Sequence, residues 1–396
     1  MKALNYDPRK TLDCFEESFV SEAAMIDSVK EEAECSEWIS GIPSKELRLE
    51  EMLPIQVYDL APKYGFDVGM AMETASESEG TQLVLSYCGK GMLVRKCAKQ
   101  SLSDTAKLNG SALTRMTPAA YSETLNYGFD VAKGNSLLLM RYGKLASCHS
   151  DSEGGYEIMP IPTLLDKVRE MMSSRFGAAH FEEGYHSHSY MSALWTLPDA
   201  KSRLLDQYQD ALDAAGSQSA CQITFTPALR FSTSDTSNAC ATLVPVWQIS
   251  NDRTLQLCEG IKVKHQRKPG EKSRMEAFSD EIQNIFAKFE ESAKKVEELA
   301  QITVAYPENA VVSICKKYNI PKKYGAAALE EVKLFSNGGM LSAHDLYLAM
   351  SAIPAEAKLK NASRFTVDTM NEILVKVLQT VNWHEHDVPG TVAWKD

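Results

Sequence analysis

The sequence predicts an α+β protein: a mostly antiparallel sheet with interspersed helices, followed by a helical C-terminal region. Two observations carry that prediction. Between about residues 81 and 257, apolar side chains recur with a period of two in short runs separated by turn residues, as half-buried strands do. Beyond residue 275 the period lengthens to that of amphipathic helices, punctuated by Pro307, Pro321 and Asn337-Gly338-Gly339. A composition of 44% hydrophobic and 24% charged residues is that of a globular chain and excludes wholesale disorder.

Taken in order, Cys14–Trp38 reads as an acidic amphipathic helix with Phe15, Phe19, Ala23, Ile26 and Val29 on one side. Leu83–Cys88 and Met92–Cys97 flank Gly89-Lys90-Gly91 as a hairpin, and Ser136–Arg141 and Lys144–His149 flank Tyr142-Gly143 as another. Strands are expected at Tyr190–Leu197, Cys221–Thr226, Ala228–Thr233, Ala241–Ile249 and Thr254–Leu257. Pro160–Phe176 and Asp199–Ala215 read as helices, the second with Asp199 as N-cap and Gly216 as stop. Met275–Ile302 reads as one long helix, with shorter ones near 308–318, 325–336, 342–353 and 363–381. The expected division is an acidic helical extension over 1–60, a sheet core over 61–268 and a helical region over 269–396.

The net charge of −11 is unevenly placed: residues 1–60 hold 14 acids against 6 bases, so the body is near neutral. The nine cysteines are scattered, odd in number and never spaced as CxxC, which argues against a disulfide framework or a zinc ribbon. A reduced, soluble, cytoplasmic protein is expected, with the cysteines used as small core hydrophobes. The longest aliphatic run, Leu137–Met140, is far too short to span a bilayer, and the first residues lack an apolar core of signal-peptide length.

No catalytic residue and no cofactor is predicted, because GxSxG, GxxxxGK[ST] and HExxH are all absent. Gly65–Gly69 lacks the spacing of a dinucleotide fingerprint. His180, His186 and His188 form the most tempting candidate metal cluster, since His186 and His188 share a side of a strand and Glu182 or Glu183 could add a carboxylate. Trp383-His384-Glu385-His386-Asp387 is a similar, shorter cluster. Ser234-Asp235 reads as a turn, or as a polar loop that contacts phosphates.

The basic residues give the stronger theme. Lys262, Lys264, Arg267, Lys268, Lys272 and Arg274 crowd one stretch against a single acid, Glu271. Lys316, Lys317, Lys322 and Lys323 alternate with Tyr318 and Tyr324, and Arg95, Lys96 and Lys99 form a third group. Cations neutralise phosphates while interleaved aromatics stack on unpaired bases. An ordinary solvated loop is the competing account.

Several phrases together resemble the uncharacterised phage/plasmid-like protein family (domain of unknown function 932). They are Gly134–Tyr142, Ile158–Asp166, Gly184–His188, Leu229–Asp235, Gly260–His265 with Phe278, Ile320–Lys323, Ala343–Tyr347 and Asp387–Gly390. The resemblance covers about residue 130 to the end and includes no diagnostic catalytic motif. It implies a mobile-element protein. By analogy of fold alone, it also implies similarity to phage single-strand annealing proteins, which bind DNA as oligomers. The first expectation is therefore a homo-oligomeric protein that binds single-stranded nucleic acid in replication or recombination. The alternatives are a non-catalytic structural or interaction protein, with a host or phage protein as partner in assembly or against host defence, and a metal-dependent hydrolase.

Overall fold

A computed structural model describes residues 7–152, 154–215, 225–250 and 252–394. After a 3-10 turn at Pro8–Thr11 come a strand, β1 (Glu16–Phe19), a helix, α1 (Glu22–Glu34), and two strands, β2 (Ser36–Pro43) and β3 (Arg48–Glu51). This corrects both the single helix expected over Cys14–Trp38 and the helical character expected of residues 1–60. Phe15 and Phe19 lie four apart, a spacing that shares one face of a strand as readily as of a helix. Cross-strand pairing of Glu16–Phe19 with residues 184–187 decides between them. The Ser21 hydroxyl then starts α1 by accepting a hydrogen bond from Ala24 N–H.

Next come α2 (Val57–Tyr64), α3 (Val68–Ala75), β4 (Leu83–Tyr87), β5 (Lys90–Val94), α4 (Ala98–Thr105), α5 (Pro118–Val131), β6 (Asn135–Arg141) and β7 (Lys144–Ser150). Both expected hairpins form, the second turning on Tyr142-Gly143 (φ 47° and 79°) as expected. The first turns on Cys88-Gly89 (φ 48° and 77°), which corrects the expected turn at Gly89-Lys90-Gly91, because Lys90 and Gly91 already pair with Tyr87 and Ser86. Paired positive φ values match the twist of the adjoining strands. The resulting six-stranded sheet has the order β2-β6-β7-β5-β4-β3 and is antiparallel except between β5 and β7. Strand alternation sends Leu83, Leu85, Val94 and Leu145 into one core with α4 and α5, and Val84 and Leu93 into another with α2 and α3.

The second sheet draws on α6 (Ile161–Phe176), β8 (His180–Ser187), β9 (Tyr190–Thr196), α7 (Lys201–Ala214), β10 (Thr226–Thr233), β11 (Ala241–Ser250), β12 (Arg253–Leu255) and β13 (Ile261–Val263). Its order is β1-β8-β9-β10-β11-β12, with β13 also paired to β11, and every pairing is antiparallel. Residues 221–224 of the strand expected at Cys221–Thr226, and the stop expected at Gly216, lie outside the described residues. Asp199 does not cap α7. Its carboxylate accepts a hydrogen bond from Ala178 N–H at 2.8 Å, and α7 follows a 3-10 turn at Pro198–Ala200.

The C-terminal region holds α8 (Arg274–Glu281), α9 (Ile285–Ala300), β14 (Thr303–Val304), α10 (Pro307–Lys317), α11 (Lys322–Ser336), β15 (Leu341–Ser342), α12 (Ala343–Met350), α13 (Ala352–Leu359), α14 (Arg364–Thr380) and α15 (Trp383–His386). The long helix expected over Met275–Ile302 is interrupted by a 3-10 turn at Ile282–Asn284. That turn eclipses residues three apart and keeps both Ile282 and Ile285 buried. Pro354 divides α12 from α13, because its ring excludes the carbonyl four residues earlier. One apolar core joins Leu229, Phe231, Leu243 and Trp247 of the sheet to α6, α7, α9 and the C-terminal helices. The other face of the sheet carries Arg230, Ser232 and Thr242 and looks toward α14. Among the described residues no helix is long and apolar enough to cross a membrane.

Candidate nucleic-acid interface

That second face and the adjoining side of α14 enclose a cavity of about 680 Å³. Thr242 lies directly opposite Lys262, and Arg230 opposite Val244, so pairing register places these side chains on one face. Lys264 continues the alternation two residues beyond Lys262. On α14, Phe365, Thr369, Glu372, Lys376 and Gln379 recur at helical spacing and form the opposite wall. A second cavity of about 380 Å³ is lined by Lys317, Tyr318, Asn319 and Thr380, and Ile373 and Lys376 line both cavities. A trough with Lys262 and Lys264 on one side and Lys317 on the other thus crosses α14 at Lys376.

The charges along it are unequal in availability. Lys262 pairs with Glu372 at 2.9 Å, and Lys317 with Glu385 at 3.7 Å. Lys264 and Lys376 make no ion pair among the described residues. The inner wall is a buried polar network. Tyr190 donates its hydroxyl proton to Asp368 Oδ2 at 2.7 Å, Arg364 Nε donates to the same oxygen at 3.1 Å, and Arg230 Nη2 donates to Thr254 Oγ1 at 2.7 Å. Just beneath, burial would raise the Glu183 carboxyl, but Arg364 and Lys358 bring it down to about 2. Phe365, half-exposed, meets Tyr190 edge-on at 6.1 Å.

Of the ten basic residues expected to bind, three line this trough: Lys262, Lys264 and Lys317. Arg267 turns back onto Glu157 (3.3 Å), Lys272 onto Asp280 (2.8 Å) and Arg274 onto Glu271 (2.8 Å), while the Lys268 backbone N–H donates to Glu271. Lys316 donates to the Ala393 carbonyl, Lys323 sits over the Tyr324 ring, and neither they nor Lys322 line the cavities. Arg95 is buried against Asp13, Lys96 donates to the Ser78 carbonyl, and Lys99 covers the Tyr121 ring. A sequence displays its charges without their counter-ions, and the local acids here are spent on the loop itself. Sequence reasoning missed Arg230, Lys376 and Phe365. The available signal was a lone arginine between Leu229 and Phe231 in an apolar strand.

The histidine cluster resolves differently from expectation. His186 Nε2 and His188 Nδ1 each lie 3.0 Å from an oxygen of Glu32, and Arg141 reaches the same carboxylate at 3.2 Å. His180 is exposed at the far end of β8, Glu182 accepts from Thr196, and Glu183 is held by Arg364 and Lys358. The carboxylate that meets the histidine pair is therefore Glu32, and a guanidinium occupies the place a cation would take. Among the described residues no group of three or more His, Cys, Asp or Glu side chains is arranged to hold a metal ion. His188 Nε2 also faces the Leu12 carbonyl oxygen at 3.1 Å; both contacts require ring protons, and burial opposes the second. In the C-terminal cluster, His386 Nδ1 lies 2.7 Å from Ser313 Oγ, and Asp387 accepts from the N–H groups of Ala305 and Tyr306.

The cluster belongs to a buried ionic layer between the two sheets. Arg141 of β6 donates to the His188 carbonyl at 2.8 Å and to Asp235 at 2.6 Å, so Ser234-Asp235 serves the interior. Asp13 bridges Arg95 (3.2 Å) and Lys144 (3.4 Å), and Lys144 also pairs with Glu73. Beside it, Tyr156 is stacked between His149 (3.7 Å between centroids) and His265 (4.8 Å). Compared with known proteins, the chain matches no family model, no curated protein and no solved structure.

Proposed function

We propose that the chain binds single-stranded nucleic acid along the trough over α14, as a phage or mobile-element protein of replication or recombination. The observation that carries this reading is the pair Lys264 and Lys376, which face one cavity with no acidic partner among the described residues. Two free ammonium groups beside half-exposed Phe365 and Tyr318 combine phosphate neutralisation with a surface for bases. The lysines sit in a recess, which suits a single strand better than a duplex, whose grooves are read by projecting elements. Longer strands would engage several copies, in keeping with a homo-oligomer.

Fluorescence anisotropy with a labelled oligonucleotide, titrated at several salt concentrations, tests the proposal. Binding should weaken with salt. The double variant Lys264→Glu/Lys376→Glu should lose at least about tenfold in affinity and flatten the log–log salt slope by roughly 1.4, about 0.7 per phosphate contact. Wild-type protein that shows no salt-sensitive binding overturns the reading. A protein-interaction role rests on a separate observation: Tyr127 and Val131, one turn apart on α5, are 79% and 77% exposed. A strict monomer in mass photometry that captures no partner removes that second reading.

A further inference from the structure

We infer that Lys144 and Glu73 become joined by an amide bond within the folded chain, with Asp13 as the acid and base of the reaction. The inference is independent of the trough and of what it binds. Lys144 opens β7, Glu73 lies near the end of α3, and Asp13 comes from the segment before β1. The side chains of Lys144 and Asp13 are enclosed, and that of Glu73 keeps 13% of its surface. Lys144 Nζ contacts Glu73 Oε2 directly, and Asp13 Oδ1 lies 3.4 Å from the same nitrogen. The backbone N–H of Asp13 donates to Glu73 Oε1 at 3.0 Å. An amine, a carboxyl group, a base beside the amine and a donor on the carboxyl oxygen are thus held together, and no ligand has to enter.

An ion pair enclosed in this way loses the hydration of both charges, and a low dielectric favours the neutral product. Asp13, Glu73, Lys144 and Arg95 together carry no net charge. Condensation of Lys144 with Glu73 leaves Arg95 facing Asp13 at 3.2 Å, so the layer stays neutral. Burial raises the Asp13 carboxyl above its ordinary range against the pull of Lys144 and Arg95, which makes it a better proton acceptor. Asp13 takes a proton from the ammonium, and the freed lone pair of Nζ forms a bond to Glu73 Cδ. The Asp13 N–H stabilises the charge that develops on Oε1. The Cδ–Oε2 bond then breaks, and Oε2 receives both protons lost by the nitrogen and leaves as water past the exposed edge of Glu73. One carboxylate and one ammonium become one amide and one water, with no oxidant or reductant. Fixed contact between the reacting groups replaces the encounter that free groups would need. Like a disulfide, the link constrains the unfolded chain, here between residues 71 apart, but it survives reductant.

Mass spectrometry of the denatured full-length protein tests the bond. Wild-type chain should weigh about 18 Da less than its sequence, the loss of one water. Its tryptic digest should contain one branched peptide that joins Glu73 to Lys144. Lys144→Arg, which keeps the cation, should show the full mass of its sequence. Asp13→Asn, taken from the soluble fraction, should hold the two side chains unjoined; a bond formed there regardless would remove Asp13 as acid and base. Wild-type chain at full sequence mass, with the two peptides separate, leaves only an ion pair and overturns the inference. That outcome needs no variant to fold.

Discussion

His149 shows how one residue's surroundings fix its charge. Its Nε2 donates to the Asp235 carbonyl at 2.8 Å, and its Nδ1 accepts from the Ser237 hydroxyl at 3.2 Å, contacts that a neutral ring satisfies. Burial pushes its pKa down to about 4 from an ordinary 6.5. As pH falls, the unfolded chain takes up this proton near 6.5 and the folded chain only near 4. The stability contribution is therefore complete above 6.5 and is lost between 6.5 and 4, about 2 kcal/mol of it by pH 5. Glu183, held at about 2, contributes fully above its ordinary 4.5, and that contribution is lost as pH falls from 4.5 to 2. Urea unfolding should give a smaller free energy at pH 5 than at pH 7. His149→Phe, which retains a ring on Tyr156, should reduce that difference; an unchanged difference would exclude His149 as a source.

Helix α5 comes close to the end of α4 at Gly128, where a Cβ would lie 2.4 Å from the Ala106 carbonyl oxygen. Replacing a helical glycine by alanine ordinarily adds up to about 1 kcal/mol. Gly128→Ala should instead cost about 1–3 kcal/mol, visible as a lower Tm, because backbone must move to admit the methyl group. On α14, Glu372 holds Lys262 by an exposed ion pair that a bound phosphate would have to displace. Glu372→Gln should strengthen oligonucleotide binding several-fold, and an unchanged affinity in the anisotropy titration would remove Glu372 as a competitor. Elements with local signals were legible in the sequence: both hairpins stand on turns where Gly89 and Gly143 supply positive φ. The strand at Glu16–Phe19 was not, because its evidence is a partner strand near residue 186. The same holds for the trough. The shared side of Lys262 and Lys264 follows from alternation, but Glu372 reaches Lys262 from 110 residues away, a juxtaposition no local spacing reveals.

Across the whole molecule, two separately cored sheets are joined through ions. The acids of the N-terminal segment explain much of this arrangement: Asp13 and Glu32 are counter-ions to Arg95, Lys144 and Arg141, and Glu31 pairs with buried Lys10 at 3.0 Å. Part of the acidity of residues 1–60 is thus internal. Arg141→Met leaves Glu32 and Asp235 without their guanidinium and should cost about 3–5 kcal/mol in urea unfolding; a loss under 1 kcal/mol would show that the layer does not hold the sheets together. The pairing of β1 with β8 adds a demand on timing. Glu16 meets Tyr185 from 169 residues away, and Leu12 meets His188 from 176. At about 5–20 residues per second of synthesis, residues 16–19 wait roughly 10–30 s for their partners to emerge from the ribosome. During that interval the early-made segment stays hydrated and uncommitted, and it closes the junction between the sheets only after the strands on both sides have been made.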